Sequence, residues 1–144
     1  KHGDGLPLGA VLKSRRPTGQ IWQPGQHTPE DLVLTRILWL TGLEPGVNQG
    51  LDSAGRVIDS KRRYIYIHGT NDEARLGTPA SHGCIRLSNA AAVEVFDAVE
   101  VGQLVVIDPG DGSRATEISP TLDPARGNSA DGRISVPPRR PSAL

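Results

Sequence analysis

"DLVLTRILWL", residues 31–40, is apolar at nearly every position. Leu32, Leu34, Leu38 and Leu40 recur at period two, and Val33, Ile37 and Trp39 fall between them. Both faces of such a strand are apolar, the pattern of a central strand covered on both sides. "TGLEPG" (41–46) ends it with Gly and Pro. The rest of the chain must supply its neighbours and its cover.

Downstream, "RRYIYIHGT" (62–70) holds the β-branched and aromatic piece "YIYIH", a second strand that delivers His68 at its end. Upstream, "LGAVL" (8–12) is the one apolar piece in residues 1–31, otherwise rich in Gly, Pro and charge, and reads as a short strand between loops. "GDGLPLG" (3–9) reads as turns: no strand precedes it and no helical pattern follows, so it does not fit a phosphate loop. Residues 47–63 read as a polar and basic loop, and 69–83 as a structured loop rich in Gly and small polar residues. "SNAAAVEVFDAVEVG" (88–102) reads as a helix, capped by Ser88 or Asn89 and stopped by Gly102. Ala92, Val95, Phe96 and Val99 mark its buried face. "QLVVI" (103–107) is a last short strand. The fold class is mainly β, with one helix after the chain's single cysteine.

From Asp108 onward the chain has no aromatic residue, and Pro, Gly and Ser are scattered among charges of both signs. It carries too little apolar surface to offset the entropy of ordering it. Residues 1–108 therefore read as one domain and 109–144 as a disordered or loosely packed tail. "PPRRP" (137–141) reads as a solvated end.

The 144 residues carry 16 Lys and Arg against 16 Asp and Glu, for a formal net charge of zero. No basic excess points to a nucleic-acid partner. No apolar run approaches the ~18–20 residues that span a bilayer. The chain starts at Lys1 and shows no secretory signal order. One cysteine allows no internal disulfide.

That cysteine, Cys84, sits in "SHGC" (81–84), sixteen residues after His68. A cysteine is a nucleophile when a base or a positive field makes its thiolate accessible. If the intervening loop returns on itself, His68 takes the thiol proton and later gives it to a leaving amine. Gly83 permits a tight turn, so the amides of His82, Gly83 and Cys84 can converge on a developing oxyanion. Ser81 and Arg86 flank the turn, and Arg86 has the planar fork to bind a substrate carboxylate. A zinc site would use His68, His82 and Cys84 with a guessed fourth ligand such as Asp72, a spacing that fits no structural zinc pattern; no metal is expected. A lone cysteine is most often an inert core residue. Ser-His-Gly before it, and a second His at a strand end, argue against that here. Redox sensing is weak, because no resolving cysteine exists.

"IHGTN" followed by "SHGCIRLSN", with a helix and "LVVI" after it, closely resembles the L,D-transpeptidase catalytic domain (the YkuD family). The likeness extends through "GLPLGAVLKSRRPTG" and "DLVLTRILWL" and covers about residues 1–108. It implies a β-sandwich with one helix. It also implies a bacterial cell-envelope enzyme of the periplasm that acts on peptidoglycan stem peptides. Such enzymes cut the amide after the L-centre of a diamino acid, release D-alanine, form a thioester and pass the stem to an amine. That amine is another stem (a 3→3 cross-link), a D-amino acid or a protein lysine. No cofactor is implied, and carbapenems are implied inhibitors. Carried over by position, Cys84 is the nucleophile, His68 the base, Gly69 the carbonyl that orients His68, and His82 and Gly83 the oxyanion turn with Cys84. Ser81 and Arg86 are supporting, substrate-side residues. Family domains normally carry further strands and a Lys-Thr-Pro-Thr-Gly-like segment ahead of this start. "RRPTG" (15–19) only echoes that segment, so unpaired backbone and an exposed sheet edge are expected. Two alternatives remain open: an L,D-carboxypeptidase or amidase that uses water, and an inactive peptidoglycan-binding fragment.

Overall fold

The computed structural model describes residues 1–107 and the backbone of Ile134–Ser135. The chain divides into two units, Lys1–Val99 and Glu100–Leu144. The first is mainly β. Its strands are β1 (Ala10–Lys13), β2 (Arg16–Ile21), β3 (Val33–Trp39), β4 (Gln49–Leu51), β5 (Val57–Asp59), β6 (Tyr66–Thr70) and β7 (Ile85–Leu87), and its helix is α1 (Asn89–Ala98). In the second unit, β8 (Val105–Val106) pairs in parallel with β9 (Ile134–Ser135). The rest of the expected tail lies outside the described residues.

Five strands form one sheet in the order β2-β1-β3-β6-β7. The apolar run that suggested a central strand is the middle of it, with Leu34, Thr35, Arg36, Ile37 and Leu38 all buried. β1 and β6 pair antiparallel to its two sides. Beyond β1, His2 extends the pairing: its N–H donates to the Ile37 carbonyl at 2.9 Å, and its carbonyl accepts the Ile37 N–H at 2.9 Å. Ile37 thus has a strand partner on each side, which corrects the expectation of unpaired backbone there. β2 is a sheet edge exposed along its whole length. Its Pro17 sits on the edge, where a missing N–H is tolerated.

The period-two reading of β3 holds only in part, because the ladder to β6 shifts between Leu34 and Ile37. Thr35 there has φ of 68°. The bulge turns two consecutive side chains toward α1: the Thr35 hydroxyl donates to the Asn89 side chain, and the Arg36 guanidinium lies 5.4 Å from the Phe96 ring. The opposite face keeps its alternation. Ile37 joins Leu12 and Tyr66 in a buried cluster, against which Val33, Trp39 and Cys84 pack.

α1 packs across β3 and β6. Ser88 caps it, its hydroxyl accepting the Ala91 N–H at 3.1 Å. Ala92, Phe96 and Val99 are buried as the spacing predicts, while Val95 is only half-buried. The helix stops at Ala98 rather than running to Gly102. Two further differences have local causes. Residues 47–63 form the β4–β5 hairpin, whose turn is tied by the Asp52 carboxylate accepting the N–H groups of Ala54 and Arg56 at 2.9 Å each. Tyr64, with φ of 58°, belongs to a turn, so β6 starts at Tyr66.

Candidate active site

His68 is the third of the five residues of β6, not its last, and every residue of that strand is buried. The short strand β7 stands between Cys84 and α1 and pairs in parallel with β6, His68 opposite Arg86 and Ile67 opposite Ile85. This pairing brings the end of the 71–84 loop back beside the strand that carries His68. Cys84 and His68 are thus carried next to each other in the sheet by a strand, β7, that the sequence pattern did not reveal.

The His68 ring is fixed from one side. Its Nδ1 lies 2.8 Å from the Gly69 carbonyl. A carbonyl only accepts, so Nδ1 carries the proton and Nε2 is left as the basic nitrogen. Burial pulls the His68 pKa below its ordinary value of 6.5; the Gly69 carbonyl and the Asp31 charge oppose this, and Arg86 adds to it. The imidazole is therefore neutral at neutral pH. Gly69 is also needed for its lack of a side chain: a Cβ there would sit 2.5 Å from Asn89 Oδ1 and 2.9 Å from the Leu34 carbonyl.

Cys84 is half-buried. Its Sγ accepts the Tyr66 N–H at 3.4 Å and faces the Tyr64 carbonyl at 3.6 Å. Burial pushes the thiol above its ordinary 9.0; the Tyr66 N–H pulls it down, Asp31 raises it and Arg86 lowers it. The pair at rest is a neutral thiol and a neutral imidazole. The sulfur's hydrogen-bond partners among the described residues are Tyr66 and Tyr64.

The turn before the cysteine is held by Ser81, whose hydroxyl donates to the Cys84 carbonyl and accepts the Gly83 N–H at 3.3 Å. Gly83 has φ of 141°, and a Cβ there would come within 2.8 Å of Ile65 Cδ1. His82 is exposed at the apex. Arg86 is placed differently from the sequence expectation of a free fork. Its Nη2 donates to Asp31 at 2.5 Å and to the Ala80 carbonyl at 2.6 Å, and Nη1 lies 3.6 Å from Asp72. The guanidinium is thus committed to tying the 71–84 loop to the entry of β3.

Asn89, one of the two cap candidates, is not the cap but serves other segments. It donates from Nδ2 to the Thr70 carbonyl and to Glu73 Oε1, at 2.9 Å each, donates its N–H to the same carboxylate at 2.7 Å, and accepts from the buried Thr35 hydroxyl. One side chain thereby joins the end of β6, the bulge of β3 and the start of the active-site loop. A sequence signal existed, since an Asn at the first position of a helix after a Ser cap is free to serve another segment. Among the described residues, no three His, Cys, Asp or Glu side chains gather around a point that would hold a metal ion. No helix among them is long and apolar enough to cross a membrane.

The family model of the L,D-transpeptidase catalytic domain, YkuD, matches residues 13–107. A Bacillus subtilis (strain 168) protein named "Putative L,D-transpeptidase YqjB" is 40% identical over 58 residues, which cover 40% of this chain and 31% of that protein. The chain thus matches less than a third of that relative's length. No solved structure matches. The family acts on peptidoglycan and is associated with the cell envelope. The chain belongs to the YkuD family of L,D-transpeptidase catalytic domains.

Proposed function

We propose that the chain is a peptidoglycan L,D-transpeptidase of the periplasm, its catalytic domain spanning residues 1–108, with Cys84 as nucleophile and His68 as base. One observation carries the reading: the His68 imidazole has Nδ1 on the Gly69 carbonyl, which leaves Nε2 as the basic nitrogen, on the strand that pairs with the one following Cys84. His68 Nε2 takes the Sγ proton as sulfur attacks the carbonyl of the L-centre amide in a tetrapeptide stem. The carbonyl oxygen becomes an oxyanion at the His82–Gly83–Cys84 turn. The C–N bond breaks, the imidazolium returns its proton to the departing D-alanine amine, and a thioester remains on Cys84. An acceptor amine then attacks the thioester and loses its proton to His68. The thiolate leaves and takes that proton back. Ser81 holds the turn, and Arg86 positions the loop through Asp31 and Asp72.

Intact mass after incubation with a carbapenem tests this. The expected result is a single adduct on the native chain, none on Cys84→Ala, and acylation slowed by about 10²–10⁴-fold in His68→Ala. An adduct on Cys84→Ala, or a near-native rate in His68→Ala, overturns the assignment. With a stem substrate, product masses then separate an amine acceptor from water.

A further inference from the structure

A cationic aromatic platform stands beside the thiol, and the transfer chemistry above does not use it. Trp39 and Tyr64 are stacked with ring centroids 6.0 Å apart, and Tyr66 meets Trp39 edge-on at 5.9 Å. Over them lies Arg15, its Cζ 4.4 Å from the Trp39 centroid and 5.4 Å from that of Tyr64. Arg15 Nη1 donates to the Tyr66 hydroxyl at 3.0 Å. The backbone N–H of the same Tyr66 donates to Cys84 Sγ. One tyrosine therefore spans from the thiol to the guanidinium. The Lys61 ammonium, 5.4 Å from the Trp39 centroid, adds positive charge to the same ring.

Arg15 reaches this place at a conformational cost. It and Ser14 form the two-residue turn between β1 and β2, with φ of 67° and 50°. Such turns favour Asn and Gly, and neither stands here. Unlike Arg86, Arg15 has no carboxylate partner among the described residues. One of its N–H groups is used by Tyr66, and the planar fork offers others. Tyr64 is 56% exposed, so the platform opens to solvent.

We propose that Arg15, laid over Trp39 and Tyr64 and tethered to Tyr66, anchors a carboxylate of the substrate acylated at Cys84. The proposal rests on the stem-peptide reading above. A stem of that kind offers two carboxylates near the scissile amide, the terminal one of D-alanine and the side-chain one of the diamino acid. Either presents the flat, bidentate group that a guanidinium fork fits. Arg15 is then the residue that admits anionic donors and disfavours neutral ones.

The test compares alkylation of Cys84 in the full chain by iodoacetate and by iodoacetamide, which differ in charge. Arg15→Gln should lower the iodoacetate rate about fivefold while leaving the iodoacetamide rate within about twofold, the size expected for one partly screened charge. Arg15→Lys should retain most of the iodoacetate rate, and Arg16→Gln, exposed on β2, should change neither. If Arg15→Gln fails to fold, the native chain and Lys61→Gln, which leaves Arg15 as the cation over Trp39, still decide: in both, the iodoacetate-to-iodoacetamide ratio should fall as salt is raised. An unchanged ratio in Arg15→Gln, or a salt-independent one in the native chain, overturns the proposal. With stem tetrapeptides, Arg15→Gln should raise KM with kcat little changed. Amidating the terminal or the side-chain carboxylate shows which one is read, because the loss disappears with that amide. A loss that survives both amides overturns the carboxylate assignment. If alkylation responds to Arg15 but no stem is turned over, the anchor stands and the stem reading falls.

Discussion

Replacing Asn89 by Ala tests how the active-site loop is held. The substitution removes three side-chain hydrogen bonds: from Nδ2 to the Thr70 carbonyl, from Nδ2 to Glu73, and from the Thr35 hydroxyl to Oδ1. A neutral bond contributes about 0.5–1.5 kcal/mol net and one to a charged group about 1.5–3. Thr35 is fully buried, so its hydroxyl is left without an acceptor. It still accepts the Gly9 N–H at 3.0 Å, which limits the penalty. The backbone N–H of Asn89 keeps its bond to Glu73. The sum is about 3–5 kcal/mol. At about 4–8 °C per kcal/mol for a domain of this size, Tm should drop by more than ~12 °C. Urea unfolding at equilibrium should show the same loss as a lower midpoint with an unchanged slope. Pairing it with Thr35→Val in a double-mutant cycle should recover about 1 kcal/mol or more of coupling, since the two groups contact each other. A loss under about 1 kcal/mol, or additive effects in the cycle, would refute the view that Asn89 binds three segments together.

Two other outcomes follow from the site's geometry. Gly83→Ala places a Cβ 2.8 Å from Ile65 Cδ1 at a φ of 141°, so acylation of Cys84 should slow about tenfold or more in a chain that still folds; a native acylation rate would show that the turn relaxes freely. The pH profile of stability should be flat between about 6.5 and 9.0 as far as this pair is concerned. Burial depresses His68, so below about 6.5 the unfolded chain takes up the proton first, and stability falls as pH falls. Burial raises Cys84, so above about 9.0 the unfolded chain loses its proton first, and stability falls as pH rises. Denaturant midpoints across pH 5–10 for the native chain, against Cys84→Ala and His68→Ala, check both arms. An alkylation rate already saturated at pH 6 would mean that a thiolate–imidazolium pair exists at rest.

Much of this was legible in residues 31–40 and 67–84. Apolarity on both faces of the first run placed it at the centre of the sheet, and the His…Ser-His-Gly-Cys spacing pointed to the family that the chain belongs to. β7 escaped because three residues are too short to show a period, and its pairing depends on a loop that returns in space. The bulge at Thr35–Arg36 escaped because nothing local demands it; it is set by Asn89 and Phe96, distant in sequence. The ion pairs of Arg86 were not legible because its partners Asp31 and Asp72 lie in segments that look like plain loops. The position of Arg15 is the reverse case: two residues with positive φ at a tight turn are a feature that sequence preference argues against.

The proton on sulfur has a consequence for chemical durability. Peroxides oxidise the thiolate, not the thiol, so a cysteine that waits protonated is attacked slowly. This chain has only one cysteine, and a sulfenic acid formed on it has no neighbour with which to close a disulfide. Every oxidation event that goes one step further is permanent. Burial beside the sheet, with the sulfur between the Tyr66 amide and the Tyr64 carbonyl, keeps Cys84 in the protonated form. In the mechanism proposed above, the raised pKa that protects the thiol from oxidation is also what makes its activation depend on His68.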